Sequence, residues 1–148
     1  MTSTDTPTVM MDKIAEAAWA QLADMSPRAL HIDEIAAAAG IAPSAARAVS
    51  GSITALILHQ LARLDRQAIL ESLADIEDAG VVPVRDKIME ALMHRFEVYA
   101  PYRAQMIQLE AAARRDPFLG LRLVESLLQA TRMLTVSYTH LRAHETLS

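Results

Sequence analysis

Apolar residues recur along most of this chain at three- and four-residue intervals. Ile14, Ala18, Leu22 and Met25 share one helical face, and Pro27 after Ser26 ends that first helix. Ile32, Ile35, Ala36 and Ala39 mark a short second helix. Asp33 and Glu34 occupy its first turn, where the helix dipole favours acids. Gly40 closes it, and Pro43 opens a third helix over residues 43–49. Gly51 interrupts the pattern before a long helix over 54–78, carrying Leu56, Leu61, Leu64, Ala68, Leu73 and Ile76. Gly80 and Pro83 mark the next junction. Residues 84–100 then read as helix, with Ile88, Leu92, Met93, Phe96 and Tyr99 as the apolar set. Pro101 leads into a helix over 102–115, and Asp116-Pro117 into a last one ending near Leu134. No run alternates apolar and polar residues over strand length, so the expected fold is all-α.

The boundaries suggest a loose, Ser/Thr/Pro-rich lead over residues 1–10, a three-helix head over 11–56 and a helical body over 57–135. Residues 136–148 stand apart. Val136-Ser137-Tyr138-Thr139-His140-Leu141-Arg142-Ala143-His144-Glu145-Thr146 resembles one translated frame of a transposase-type sequencing adapter. That tail is read as a non-native scar, with the natural chain cut near Leu134.

Composition narrows the function classes. The 148 residues are 52% apolar and 4% aromatic, contain no cysteine and carry a formal charge of −4. Disulfides, thiolate chemistry and cysteine-based zinc sites are excluded. The longest uncharged stretch, residues 48–62, is too short and too polar to span a bilayer, and no secretory signal opens the chain. A soluble, cytoplasmic protein is expected. No nucleophile–base pair, glycine-rich phosphate loop or metal-ligand cluster is read from the sequence, so neither an enzyme, a resident cofactor nor a metal site is expected. His31 stands where a helix-capping hydroxyl is usual and reads as a poor cap. His59 and His94 read as isolated, without a second metal ligand one turn away. Glu71, Asp75, Glu77 and Asp78 read as a solvated face.

Two short helices joined by Gly40-Ile41-Ala42, with a buried helix before them, have the order of a helix-turn-helix. The segment His31-Ile32-Asp33-Glu34-Ile35-Ala36-Ala37-Ala38-Ala39-Gly40-Ile41-Ala42 resembles the head of TetR-type transcriptional regulators. Ile14-Ala15-Glu16-Ala17-Ala18 before it and Ala55-Leu56-Ile57 after it extend the match. Arg95-Phe96-Glu97 and Arg115-Asp116-Pro117 resemble the body of some members, so the resemblance spans residues 11–134. It implies a homodimeric DNA-binding repressor released by a small apolar effector. DNA contacts fall on Pro43, Ser44, Ala45, Arg47, Ala48 and Ser52. The effector cavity falls on Met89, Met93, Phe96, Tyr99, Tyr102 and Met106, a set that reads more readily as core filling.

The third helix departs from the family. Its usual aromatics and the following lysine are replaced, leaving Ser44, Arg47 and Ser52 as phosphate or base-edge partners. Residues 1–60 carry three basic against six acidic side chains, so DNA affinity is expected to be weak. The other reading is a TetR-like fold without DNA binding, similar to the lipid-binding accessory proteins of ubiquinone biosynthesis. In the family the last two helices pair as a four-helix bundle. Loss of that region would leave Leu121, Leu127, Leu128 and Leu134 as an exposed apolar face.

Overall fold

The computed structural model describes residues 6–78 and 80–145. The chain is helical in nearly all of these, and among the described residues there is no strand. Helix α1 (Pro7–Leu22) begins four residues before the expected start. Pro7 occupies its first turn, and the Thr6 hydroxyl accepts from the Val9 amide at 3.4 Å. The expected loose lead is therefore corrected from Pro7 onward, while residues 1–5 lie outside the described residues. The helix also stops at Leu22, short of Met25. A 3-10 turn (Pro27–Ala29) leads on to α2 (Ile32–Ala39).

Gly40 sits at φ 69°, a conformation that glycine adopts without steric cost. There the Gly40 amide reaches the Ala37 carbonyl and the Ile41 amide that of Ala36, closing the helix end. His31 precedes α2 with no side-chain cap bond. Helix α3 (Pro43–Val49) has the expected bounds. Helix α4 (Ile53–Asp78) starts with the Ser52 hydroxyl accepting from the Ala55 amide at 3.0 Å.

Helix α5 (Val84–Tyr99) passes through a second 3-10 turn (Ala100–Tyr102) into α6 (Arg103–Arg115). Asp116 caps α7 (Pro117–Glu145) by accepting from the Phe118 amide at 3.0 Å. That helix runs past Leu134 and on through residues 135–145; the side chain of Leu134 lies outside the described ones.

Helix α4 is the spine. Its first turns pack on α1, and later turns meet α5 and α7, while α6 lies against α1 and α7. One continuous core follows it, from Ile14, Trp19, Leu22 and Ile35 through Leu56 and Ile57 to Leu64, Val98 and Leu109. Head and body thus share their interior.

Helix α5 buries a stripe that its apolar pattern does not mark. Its buried stripe is Lys87, Ala91 and Val98, whereas Ile88, Met89, Leu92, Met93 and Phe96 are exposed. Small Ala91, beside Asp65, Ala68 and Ile69, lets the backbones of α4 and α5 approach. Among the described residues no helix is long and apolar enough to cross a membrane.

Candidate ligand cavity

The exposed side of α5 borders a cavity of about 480 Å³. Helix α4 contributes Leu61 and Asp65; α5 contributes Leu92, Arg95, Phe96 and Tyr99. Helix α6 adds Met106, Leu109 and Glu110, and α7 adds Leu123, Ser126 and Leu127. The volume falls within the range that holds a drug-sized molecule. The walls are almost wholly apolar.

Five polar side chains interrupt them, and three of these, Asp65, Arg95 and Tyr99, meet one another. Asp65 lies one turn beyond Leu61 on the buried stripe of α4, and its side chain is only 9% exposed. The Tyr99 hydroxyl donates to Asp65 Oδ1 at 2.9 Å, and Arg95 Nη2 reaches the same oxygen at 3.1 Å. The Arg95 guanidinium also stands 5.9 Å from the centre of the Tyr99 ring, within reach of a cation–π contact. Burial pushes the Asp65 carboxyl above its ordinary value, outweighing the charge of Arg95 and the bonds from Tyr99 and Arg95. Burial, reinforced by the Asp65 charge, likewise holds the proton on the Tyr99 phenol.

That retained proton has a measurable consequence. The unfolded chain releases it near the ordinary phenol value of 10.0, before the folded chain does. The corresponding stability is complete below that pH and is lost as pH rises through the folded value. Tyr99→Phe is expected to cost about 1–2 kcal/mol at neutral pH, through the lost bond to Asp65. The variant should then lose less stability than the parent under alkaline conditions. Denaturant midpoints across an alkaline series check both; equal slopes for the two proteins would count against a buried, proton-holding Tyr99.

Of the six residues expected at an effector cavity, Phe96, Tyr99 and Met106 border it. Met89 and Met93 point to solvent at 53% and 52% exposure. Tyr102 instead packs edge-on against Trp19, with ring centres 5.7 Å apart. Sequence periodicity passed over Asp65 and Arg95. Their signal is a charged residue in phase with a buried stripe, as Asp65 is with Leu61 and Ala68.

The candidate DNA face of α3 is assembled as a surface. Pro43, Ser44, Arg47 and Ala48 are exposed, and Ala45 is half-buried. The Ser52 hydroxyl is taken up in capping α4. Arg47 forms an ion pair with Asp33 of α2, both side chains being more than half exposed. Such a surface pair contributes little and yields readily to a phosphate.

The two helical histidines are not isolated. His59 Nε2 lies 2.7 Å from Asp12 Oδ1, beside Arg63, which also reaches Glu16 at 2.9 Å. His94 stands among Glu71, Asp75, Glu90 and Glu97, so the reading of those α4 acids as a plain solvated face is also incomplete. No protein-family model matches this chain, and no curated protein matches it.

Proposed function

We propose that this chain is a ligand-responsive transcriptional regulator of the TetR type, acting as a homodimer in the cytoplasm. The cavity of about 480 Å³ carries the reading, because α4 borders it with Leu61 and Asp65 and shares a core with the head through Leu56 and Ile57. An apolar occupant that displaces α4 would shift the placement of α3, and with it the spacing of two heads on DNA. The occupant is a compact molecule with an apolar body. Dimerisation is supported by the exposed apolar residues of α7, namely Leu121, Val124, Leu127, Leu128 and Met133.

One observation favours the second reading, a lipid-binding protein without DNA activity. Arg47 is the one basic side chain of α3, and residues 1–60 carry three basic against six acidic side chains.

Two measurements test these readings. N-phenylnaphthylamine, an uncharged fluorescent apolar probe, should bind with an affinity on the order of micromolar. Leu123→Trp, which fills the cavity from α7, should weaken it at least about tenfold. Undiminished binding by that variant would place the probe elsewhere. A gel-shift assay on DNA upstream of the gene should show retardation that fades with salt. No retardation at low salt removes the DNA role, and co-purified lipid then favours the second reading.

A further inference from the structure

A second group of side chains lies outside the cavity and takes no part in the proposed function. Helices α4 and α5 run antiparallel, since Asp75 meets His94 at one end while Asp65 meets Tyr99 at the other. Glu71 and Asp75 are one turn apart on α4, and Glu90 and His94 one turn apart on α5, so two ligand-type pairs face each other. His94 Nε2 is 2.6 Å from Asp75 Oδ2 and 3.4 Å from Glu90 Oε1. One ligand atom from each of Asp75, Glu90 and His94 falls within 4.8 Å of the others.

The imidazole is unlike the acids around it. Its side chain is 15% exposed, whereas Asp75 and Glu90 are about half exposed. Its other nitrogen, Nδ1, is buried without a hydrogen-bond partner, 3.7 Å from Glu97 Oε2 and 3.9 Å from Glu71 Oε2. Gln67 donates to the remaining oxygen of Glu71 at 2.9 Å and so turns Oε2 toward the ring. A histidine that gives one nitrogen to a metal usually donates the other N–H to a carboxylate. Here both sides of that arrangement are within a small rotation of completion.

We propose that Asp75, Glu90 and His94 form a binding site for a divalent transition metal of the Zn²⁺ class. Ligand bonds of about 2.0–2.2 Å require donor separations a little above 3 Å, which the Glu90–His94 spacing meets and a slight opening at Asp75 supplies. The imidazole nitrogen selects Zn²⁺, Co²⁺ or Ni²⁺ over Mg²⁺ and Ca²⁺, which prefer oxygen donors. Three protein ligands leave one position open to water. Because the ligands come from both helices, the ion clamps α4 to α5 beside the cavity and stabilises the folded chain by mass action. The site stands independently of any cavity occupant.

His140 and His144 are also four residues apart, so the test uses the full chain with both changed to Gln as background. After chelator treatment, ZnCl2 should bind saturably at one site by calorimetry and raise the melting temperature. MgCl2 and CaCl2 at equal concentration should do neither. His94→Gln should weaken Zn²⁺ binding at least about tenfold, while Glu77→Gln leaves it unchanged. Should His94→Gln fail to fold, the His94 ring resonances of the background protein must move in step with added Zn²⁺. Absence of saturable binding, binding indifferent to His94, or unmoved ring resonances would overturn the site.

Discussion

Arg95→Met is expected to destabilise the protein by about 2–4 kcal/mol at neutral pH, because it leaves a buried carboxylate without its cation. Asp65 is 9% exposed and Arg95 23%, so the pair sits nearer the interior limit than the surface one. Burial already raises the Asp65 carboxyl above its ordinary 3.8, and Arg95 is the leading influence lowering it. Without Arg95 the carboxyl climbs further, and the folded chain binds a proton at pH values where the unfolded chain has lost it. The stability due to that proton is complete below 3.8 and is lost as pH rises through the folded value. The variant's deficit should therefore be largest at neutral pH and shrink on acidification. Denaturant unfolding in neutral and mildly acidic buffers measures it. The double variant Asp65→Leu/Arg95→Met should recover much of the loss, since Tyr99 keeps the Leu61 carbonyl, 3.4 Å away, as an acceptor. A loss in Arg95→Met no greater than that of an exposed pair would contradict this account of the cavity.

Leu56→Ala should cost about 2–5 kcal/mol and lower the melting temperature by about 10 °C. Leu56 has no exposed surface and lies where the head and body portions of the core meet. Trp19 belongs to the same cluster at 3% exposure, so its fluorescence reports on the shared interior. Because the core is continuous, tryptophan emission and helical circular dichroism should melt together in both parent and variant. Two separate transitions would show that residues 11–56 and 57–135 fold as independent units.

The helix boundaries were legible because short-range chemistry sets them. Pro43 can start a helix but not continue one, and α3 spans Pro43–Val49 as the pattern indicates. Gly40 closes α2, and Asp116-Pro117 opens α7 through a carboxylate that meets two following amides. The early start of α1 was missed, because a Ser/Thr/Pro-rich composition obscured Thr6-Pro7, an ordinary start signal.

The cavity was only half legible. Phe96, Tyr99 and Met106 show as apolar residues on helices, but Asp65 and Arg95 gain meaning only through partners. Asp65 and Tyr99 are 34 positions apart. His94 and Asp75, 19 positions apart, are likewise joined by helix pairing.

By itself, then, the sequence determined that this chain is a succession of helices and where most of them begin, although α1 starts at Pro7 and α7 runs on to Glu145. Those choices depend on backbone sterics and capping among neighbours a few residues apart. Only the tertiary structure decided which stripe of α5 is buried, and so which side chains border the cavity. That helix carries apolar residues on two sides, and its rotation buries small Ala91 beside Asp65, Ala68 and Ile69 of α4. It is the same rotation that brings Arg95 to Asp65 and His94 to Asp75.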